Sequence, residues 1–562
     1  MFDLDALLKV AIPPADLDKA WLEGATDAVD YVVGNSQSED IILYTGAGQA
    51  WIYAMLAPLA NVTPPDLEDL QRSHAGPDGG WVIDHVWGGG EPERVYISAP
   101  LDSSSCKSLR GGEQLVFRRY FNGVDKGPVR TELSQKLVQA LDLYWLDEES
   151  AFCKLNEDGD IEPIIRVINL SRYTGKVSDI VVTINAHELH RYMAVTEMAL
   201  VTRFDFTRYR PKAFGGWHQP TRGQHIGEHL YHHSGVQSEC SFVNGVLVSR
   251  PLLTQEMLVR KSRHDWNDEG KEYATFKAHD AKNNRLAEVS CAPTALASYF
   301  EKDSPLPYQV TPAFFRPEVL QKYKADPEKY TLQHRSIECR ASWYLKSYDV
   351  NEAGQVHAYL CDLAMLPYKE QLYWQSFNEW PKGPISKRAF ETDILGKFTS
   401  IEDPVMDLKY EIEKIDGLKP EWWLVRGQRL ASTLHYPITT SIEEWANAIL
   451  ALDQLVVEGF SPKSLRKRLK DANRSFDKQW GSVRLLQECL ICVGIDEDDA
   501  IDIVEPLKAL HHLRSKVKGH SSESERQQLI RAARTEHGRL SAHFRSLVAD
   551  VRSAFDRIVE AL

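Results

Sequence analysis

In the segment LHHLRSKVKGH, residues 510–520, five residues separate Arg514 from His520, and two of the five are Lys516 and Lys518. The pair could divide the work of breaking a phosphodiester without a metal. An imidazole titrates near pH 6.5, so His520 can take or give a proton at physiological pH, whereas the guanidinium of Arg514 stays charged and can hold a phosphate bidentately. Spacing sets a condition on this. On an unbroken helix, six positions turn His520 about 240° away from Arg514, at roughly 100° per residue. Gly519, directly before His520, offers a helix ending that lets the imidazole swing back. As structure alone, the same residues read as cations that complement the dipole at a helix C-terminus.

A second constellation, WHQPTRGQHIGEHLYHH, gathers His218, His225, His229, His232 and His233. His225, His229 and His233 repeat at four-residue spacing, which would align three imidazoles toward a divalent metal if the segment were helical. Glu228 precedes His229, so it cannot serve as the internal carboxylate of an HExxH site, and Gly223 and Gly227 weaken a helix. A histidine-rich surface or partly buried hairpin is the plainer reading. Arg222 and His229 also satisfy an R-x6-H expression, outside any helical bundle. Cys489 and Cys492 form a CxxC inside the apolar helical stretch LLQECLICVGI, with no second pair at zinc-finger spacing. Eight scattered cysteines do not make a disulfide framework and suit a reducing compartment. No GxSxG elbow occurs, and YTGAGQAW lacks both the GxGxxG spacing and a Walker lysine.

The Arg514/His520 arrangement, set in a helical bundle, resembles the R-x4-6-H motif of the HEPN superfamily. Its members are small all-helical domains, many of them metal-independent endoribonucleases of antiviral defence, toxin systems and RNA processing. The resemblance covers about the last 120 residues. It implies an endoribonuclease needing no cofactor, with a homodimer in which two copies of Arg514 and His520 meet across a groove. One group would take the 2′-OH proton, charge would stabilise the phosphorane, and an acid would protonate the departing 5′ oxygen. Ser515 would orient the phosphate, while Lys516, Lys518 and His511 would line the groove. RNA is the implied substrate, tRNA among the candidates. Bacterial antiphage defence by abortive infection is the implied setting, with residues 1–440 as a lock or sensor for a phage-derived or cellular trigger. Two other classes stay open: a non-catalytic interaction protein whose bundle only dimerises, and a metal-dependent enzyme built on His218–His233.

The elements that would position these residues follow from patterning. After about Thr440 glycine and proline become rare, and apolar residues recur at helical spacing, which predicts an antiparallel bundle of four or five helices over 441–562. Residues 441–562 hold 19 Lys plus Arg and 19 Asp plus Glu, so the whole net charge of −14 lies in residues 1–440. The tail, with its basic face KSLRKRLKDANR (463–474), is therefore the better partner for a polyanion, although such a run is usually a solvated surface.

Upstream, the period is mostly two between about 180 and 390. Turns are expected at EDGD, Asn244-Gly245, Asn283-Asn284 and NEAG (351–354). The strand QLVFRRYF should lead into a helix over about Thr131–Leu146. The aromatic run from Trp343 to Trp380 reads as core, or more sharply as a groove for a peptide or unstacked bases. The expected class is α+β: a mixed N-terminal region (1–175), a β-rich middle (176–395), a connector (396–440) and the helical domain (441–562). At 562 residues and 43% apolar the chain has ample core material. It shows neither a signal peptide nor a run of about 20 apolar residues, so a soluble cytoplasmic protein without membrane contact is expected.

Overall fold

Strand Asp40–Ala47 alternates its side chains between two cores: Ile41 and Leu43 enter one, Ile42 the other. The same division runs across an 11-stranded antiparallel sheet in the computed structural model, which describes residues 2–12, 25–88, 90, 92–121, 129–209, 219–237, 239–267, 270–333, 335–397, 403–437, 441–518 and 523–562. From one edge the order is Gln219–Ile226, Leu230–Val236, Cys240–Ser249, Met198–Tyr209, Ala50–Pro58, Asp40–Ala47, Ile180–Asn185, Ile161–Asn169, Ala151–Leu155 and Tyr144–Leu146, with Glu113–Gln114 beside Ala50–Pro58. Helices Leu4–Ala11 and Asp27–Asn35 cover one face with Leu7, Ala28, Val29 and Val32. Helix Ala186–Thr196 covers the other with Leu189, Tyr192 and Met193. Each such aliphatic or aromatic side chain removed from water stabilises the fold by about 1.5–3 kcal/mol.

The chain divides into two units, Met1–Leu155 with Ile161–Lys271, and Asn156–Asp160 with Glu272–Leu562. This corrects the boundary expected at 175/176. Strand Ile180–Asn185 pairs with both Asp40–Ala47 and Ile161–Asn169, so residues on either side of that point share one sheet. The expected helix over Thr131–Leu146 is also absent: Arg130–Leu133 pairs with Val116–Arg119, Ser134 caps the short helix Gln135–Ala140, and Tyr144–Leu146 returns as strand. Asn244-Gly245 is not a turn but lies inside Cys240–Ser249, opposite His233 and His232. Glycine is required there by crowding, because a Cβ would lie 2.4 Å from the Tyr231 carbonyl oxygen and 2.5 Å from Phe204 Cζ. Gly245→Ala should therefore destabilise the first unit by about 1–3 kcal/mol, read as a lower urea midpoint at unchanged slope. An unaltered midpoint would contradict this packing.

In the second unit, strands Arg285–Ser290, Thr275–Asp280, Pro312–Phe315, Val356–Tyr359 and Asp349–Val350 form an antiparallel sheet in that order. The aromatic run is mostly its core: Trp343, Tyr348, Tyr359 and Trp374 are buried, whereas Tyr344, Tyr368 and Trp380 are exposed. His357, wholly buried, accepts a hydrogen bond from the Ser386 N–H at Nε2 (3.1 Å), and burial pulls its pKa down to about 4. The unfolded imidazole, with a pKa near 6.5, takes up a proton that the folded one refuses. Its contribution is thus complete above pH 6.5 and is lost as pH falls toward 4, by at most about 1.4 kcal/mol per pH unit. Denaturant unfolding at pH 7 and 4.5 should show a smaller acid loss in His357→Gln than in the parent. Equal losses would refute this.

From Pro404 onward the unit is helical. Six α-helices follow residue 440 among the described residues, more than the four or five expected: Ile442–Val456, Pro462–Asp471, Ser482–Cys492, Glu497–Lys518, Glu523–His537 and Leu540–Ala561. Helix Pro404–Leu418 and the Trp422-Trp423 pair share one core with Trp445, Phe460 and Phe555, so the expected connector over 396–440 is in large part bundle. The fold class is α+β, with a β-rich middle and a helical C-terminal region. No helix among the described residues is long and apolar enough to cross a membrane.

Candidate functional site

Helix Ile442–Val456 starts at Ser441, whose Oγ accepts from the Glu444 N–H, and buries Leu452, Leu455 and Val456. Among these apolar residues stands Asp453, with no solvent exposure at all. The 22-residue helix Glu497–Lys518 packs against it and buries Ile503, Leu507 and Leu510 in the core they share. Its described part runs to Lys518. Gly519 and His520 lie outside the described residues.

Asp453 organises this end of the helix. His511 Nδ1 lies 3.0 Å from Asp453 Oδ1, the tautomer protonated at Nδ1 donating, and Arg514 Nε lies 3.7 Å from Oδ2. Arg514 Nη2 is 3.9 Å from Glu458 Oε1. Burial pushes the Asp453 carboxyl above the ordinary range, against the pull of His511 and Arg514. The two arginine contacts are long ion pairs, and Arg514 Nε, though buried, makes no hydrogen bond. The side chain is about one-third exposed. The guanidinium is therefore held by charge at one edge while its hydrogen-bonding fork stays unspent, the condition under which it can take a phosphate.

Helical geometry sorts the other expected residues. His511, Arg514, Ser515 and Lys518 fall on one face, at spacings of three, four and seven. Lys516 is turned about 200° from Arg514, and its Nζ reaches Glu525 Oε2 (3.2 Å) on the next helix, so it does not line a surface with Arg514. The Ser515 hydroxyl donates to the His512 carbonyl (2.7 Å), and Lys518 pairs with Glu443. Sequence reasoning missed Asp453 and Glu458. The available signal was an acid set in the apolar helical stretch LALDQLVV, a position that burial allows only to a paired carboxylate.

The histidine constellation does not form the aligned array that a helix would give. Gln219–Ile226 and Leu230–Val236 are antiparallel strands joined through Gly227, with Gln224 opposite His232 and Gly223 opposite His233. His232 and His233 are neighbours on one strand and so point to opposite faces. His225 Nε2 lies 3.2 Å from Glu68 Oε1. His218 lies outside the described residues, among which no group of three or more His, Cys, Asp or Glu is placed to hold a metal ion. Cys489 is buried, with its thiol pushed up to about 12 by burial, while Cys492 is exposed. The basic helix Pro462–Asp471 spends part of its charge internally. Arg466 donates to the carbonyls of Lys478 and Trp480, and Arg468 to that of Leu562.

No protein-family model, curated protein or solved structure matches this chain significantly.

Proposed function

We propose that the chain is a metal-independent endoribonuclease in which Arg514 binds the scissile phosphate and His520 transfers the proton. The observation that carries this reading is the state of Arg514, oriented by the wholly buried Asp453 yet with no hydrogen bond among the described residues. Such a guanidinium is preorganised for an anion and need not break a hydrogen-bonded pair to receive one. The helical C-terminal region supports this reading. On this reading two chains meet around RNA, tRNA among the candidate substrates, and His511 and Lys518 flank the phosphate. We place the activity in the cytoplasm, in antiviral defence by abortive infection. Residues 1–440 act as the restraint, released by a phage-derived or cellular trigger, because an unrestrained ribonuclease would poison its own cell.

The test is incubation of the purified chain with total RNA, with and without EDTA. Cleavage that persists in EDTA is expected. Cleavage abolished by EDTA and restored by a divalent ion would favour a metal enzyme instead. A dimer that leaves RNA intact in either condition, and is not toxic when expressed, would favour the interaction protein.

A further inference from the structure

A cavity of the second unit, with a volume of about 1120 Å³, opens between its sheet-bearing part and the helices that follow Asp403. Nine Lys or Arg side chains line it against five Asp or Glu, in a chain whose net charge is −14. Four of the five acids are already engaged, Glu352 by the Lys387 N–H (3.4 Å). Asp349 pairs with Arg388 (2.6 Å), Glu379 with Lys382 (2.7 Å), and Asp403 accepts from the Tyr436 hydroxyl (2.7 Å) and from the first turn of helix Pro404–Leu418. Of the cations, Lys324 pairs with Glu444 (2.9 Å) and Lys387 with Glu391 (3.9 Å) outside the lining, and the wall still carries more basic than acidic side chains.

We infer that this cavity binds a small, multiply charged phosphate-bearing anion, a polyphosphate either free or carried by a nucleotide. Arg388 is nine-tenths buried, yet its Nη1 has no hydrogen-bond partner. Lys409 makes no hydrogen bond or ion pair among the described residues, and burial brings its ammonium down to about 8, Lys324 adding to this against Asp403. Burial, with Lys409 and Lys324, likewise lowers His435 to about 3. An anion placed beside Lys409 and Lys324 would relieve both the burial of the Lys409 charge and the repulsion between the two ammonium groups. Helix Leu540–Ala561 adds its own field: its first turn lines the cavity, and Arg539 at its N-cap provides no side-chain cap. The volume suits one nucleotide-sized ligand and not an extended strand, which separates this site from the Arg514 surface. The inference does not depend on the ribonuclease reading.

Calorimetric titration of the full chain at physiological salt, with inorganic tripolyphosphate and with ATP, tests it. Saturable binding at one site per chain is expected, weakened at least tenfold in Lys409→Met. That variant should keep its fold, because it deletes an unpaired, desolvated charge. Lys463→Met, on the basic helix and outside the cavity, should bind as the parent does. Equal affinities for the two ligands would assign the site to the phosphates alone, and tighter ATP binding would add a base or sugar contact. Either supports the proposal. Absence of saturable binding by both ligands, binding indifferent to Lys409→Met, or equal weakening by Lys463→Met would overturn it. So would preferential occupation by an oligoribonucleotide, since that would make the cavity part of an RNA surface.

Discussion

Arg514→Ala is expected to lower RNA cleavage by a factor of about 100–1,000, the effect of removing one preorganised charge from a developing oxyanion. His520→Ala should cost at least about 100-fold through loss of the proton-transfer group. The arginine variant needs a control, because Arg514 also faces the wholly buried Asp453. Without it, His511 alone balances that carboxylate, and a loss of about 1–3 kcal/mol is expected in urea unfolding. Asp453→Asn in the same chain removes the charge that was left, so the double variant should regain stability and still not cleave. Recovery of cleavage along with stability would show that Arg514 serves only the fold. Mixing Arg514→Ala chains with His520→Ala chains tests the dimeric site, since a composite centre would recover part of its activity.

Trp374→Ala should unfold much of the second unit's margin, about 3–5 kcal/mol out of a typical 5–15. Its indole has no exposure, meets Phe315 edge-on at 4.8 Å, lies against Tyr323 at 6.3 Å, and donates from Nε1 to the Tyr323 hydroxyl (2.7 Å), which in turn bonds Glu370. Deletion leaves a cavity and strips a hydrogen bond from a buried phenol at once. Tyr344→Ala, from the same aromatic run but half exposed, should change stability by no more than about 0.5 kcal/mol. Urea midpoints of the two variants make the comparison. A Trp374→Ala protein as stable as the parent would contradict the reading of this run as core.

Signals confined to a few consecutive residues were legible in the sequence. In the EDGD hairpin, Gly159 takes φ 75° and Asn156 Oδ1 accepts from the Asp158 and Asp160 N–H groups. NEAG turns at Gly354 with φ 80°, and Asn284 takes φ 48° between strands Thr275–Asp280 and Arg285–Ser290. Asn244-Gly245 carries the same letters and does something else, because long flanking strands hold it in register and Phe204 needs the space where a side chain would stand. Non-local pairing likewise drew Arg130–Leu133 out of a helical pattern and into a hairpin with Val116–Arg119. At the site, the resemblance pointed to His511, Arg514, Ser515 and Lys518, which share one helix face, and to Lys516, which does not. It could not find Asp453, whose role depends on a helix more than fifty residues upstream coming alongside. Nor did local pattern reveal the cationic cavity, assembled from side chains spread between Arg316 and Arg545.

The most direct measurement is the chemistry of the cut ends. RNA incubated with the chain in EDTA should yield 5′ fragments ending in a 2′,3′-cyclic phosphate and 3′ fragments beginning with a free 5′ hydroxyl, as attack by the neighbouring 2′-OH requires. Fragments with a 3′ hydroxyl and a 5′ phosphate would mean that water was the nucleophile, and would contradict the roles given to Arg514 and His520.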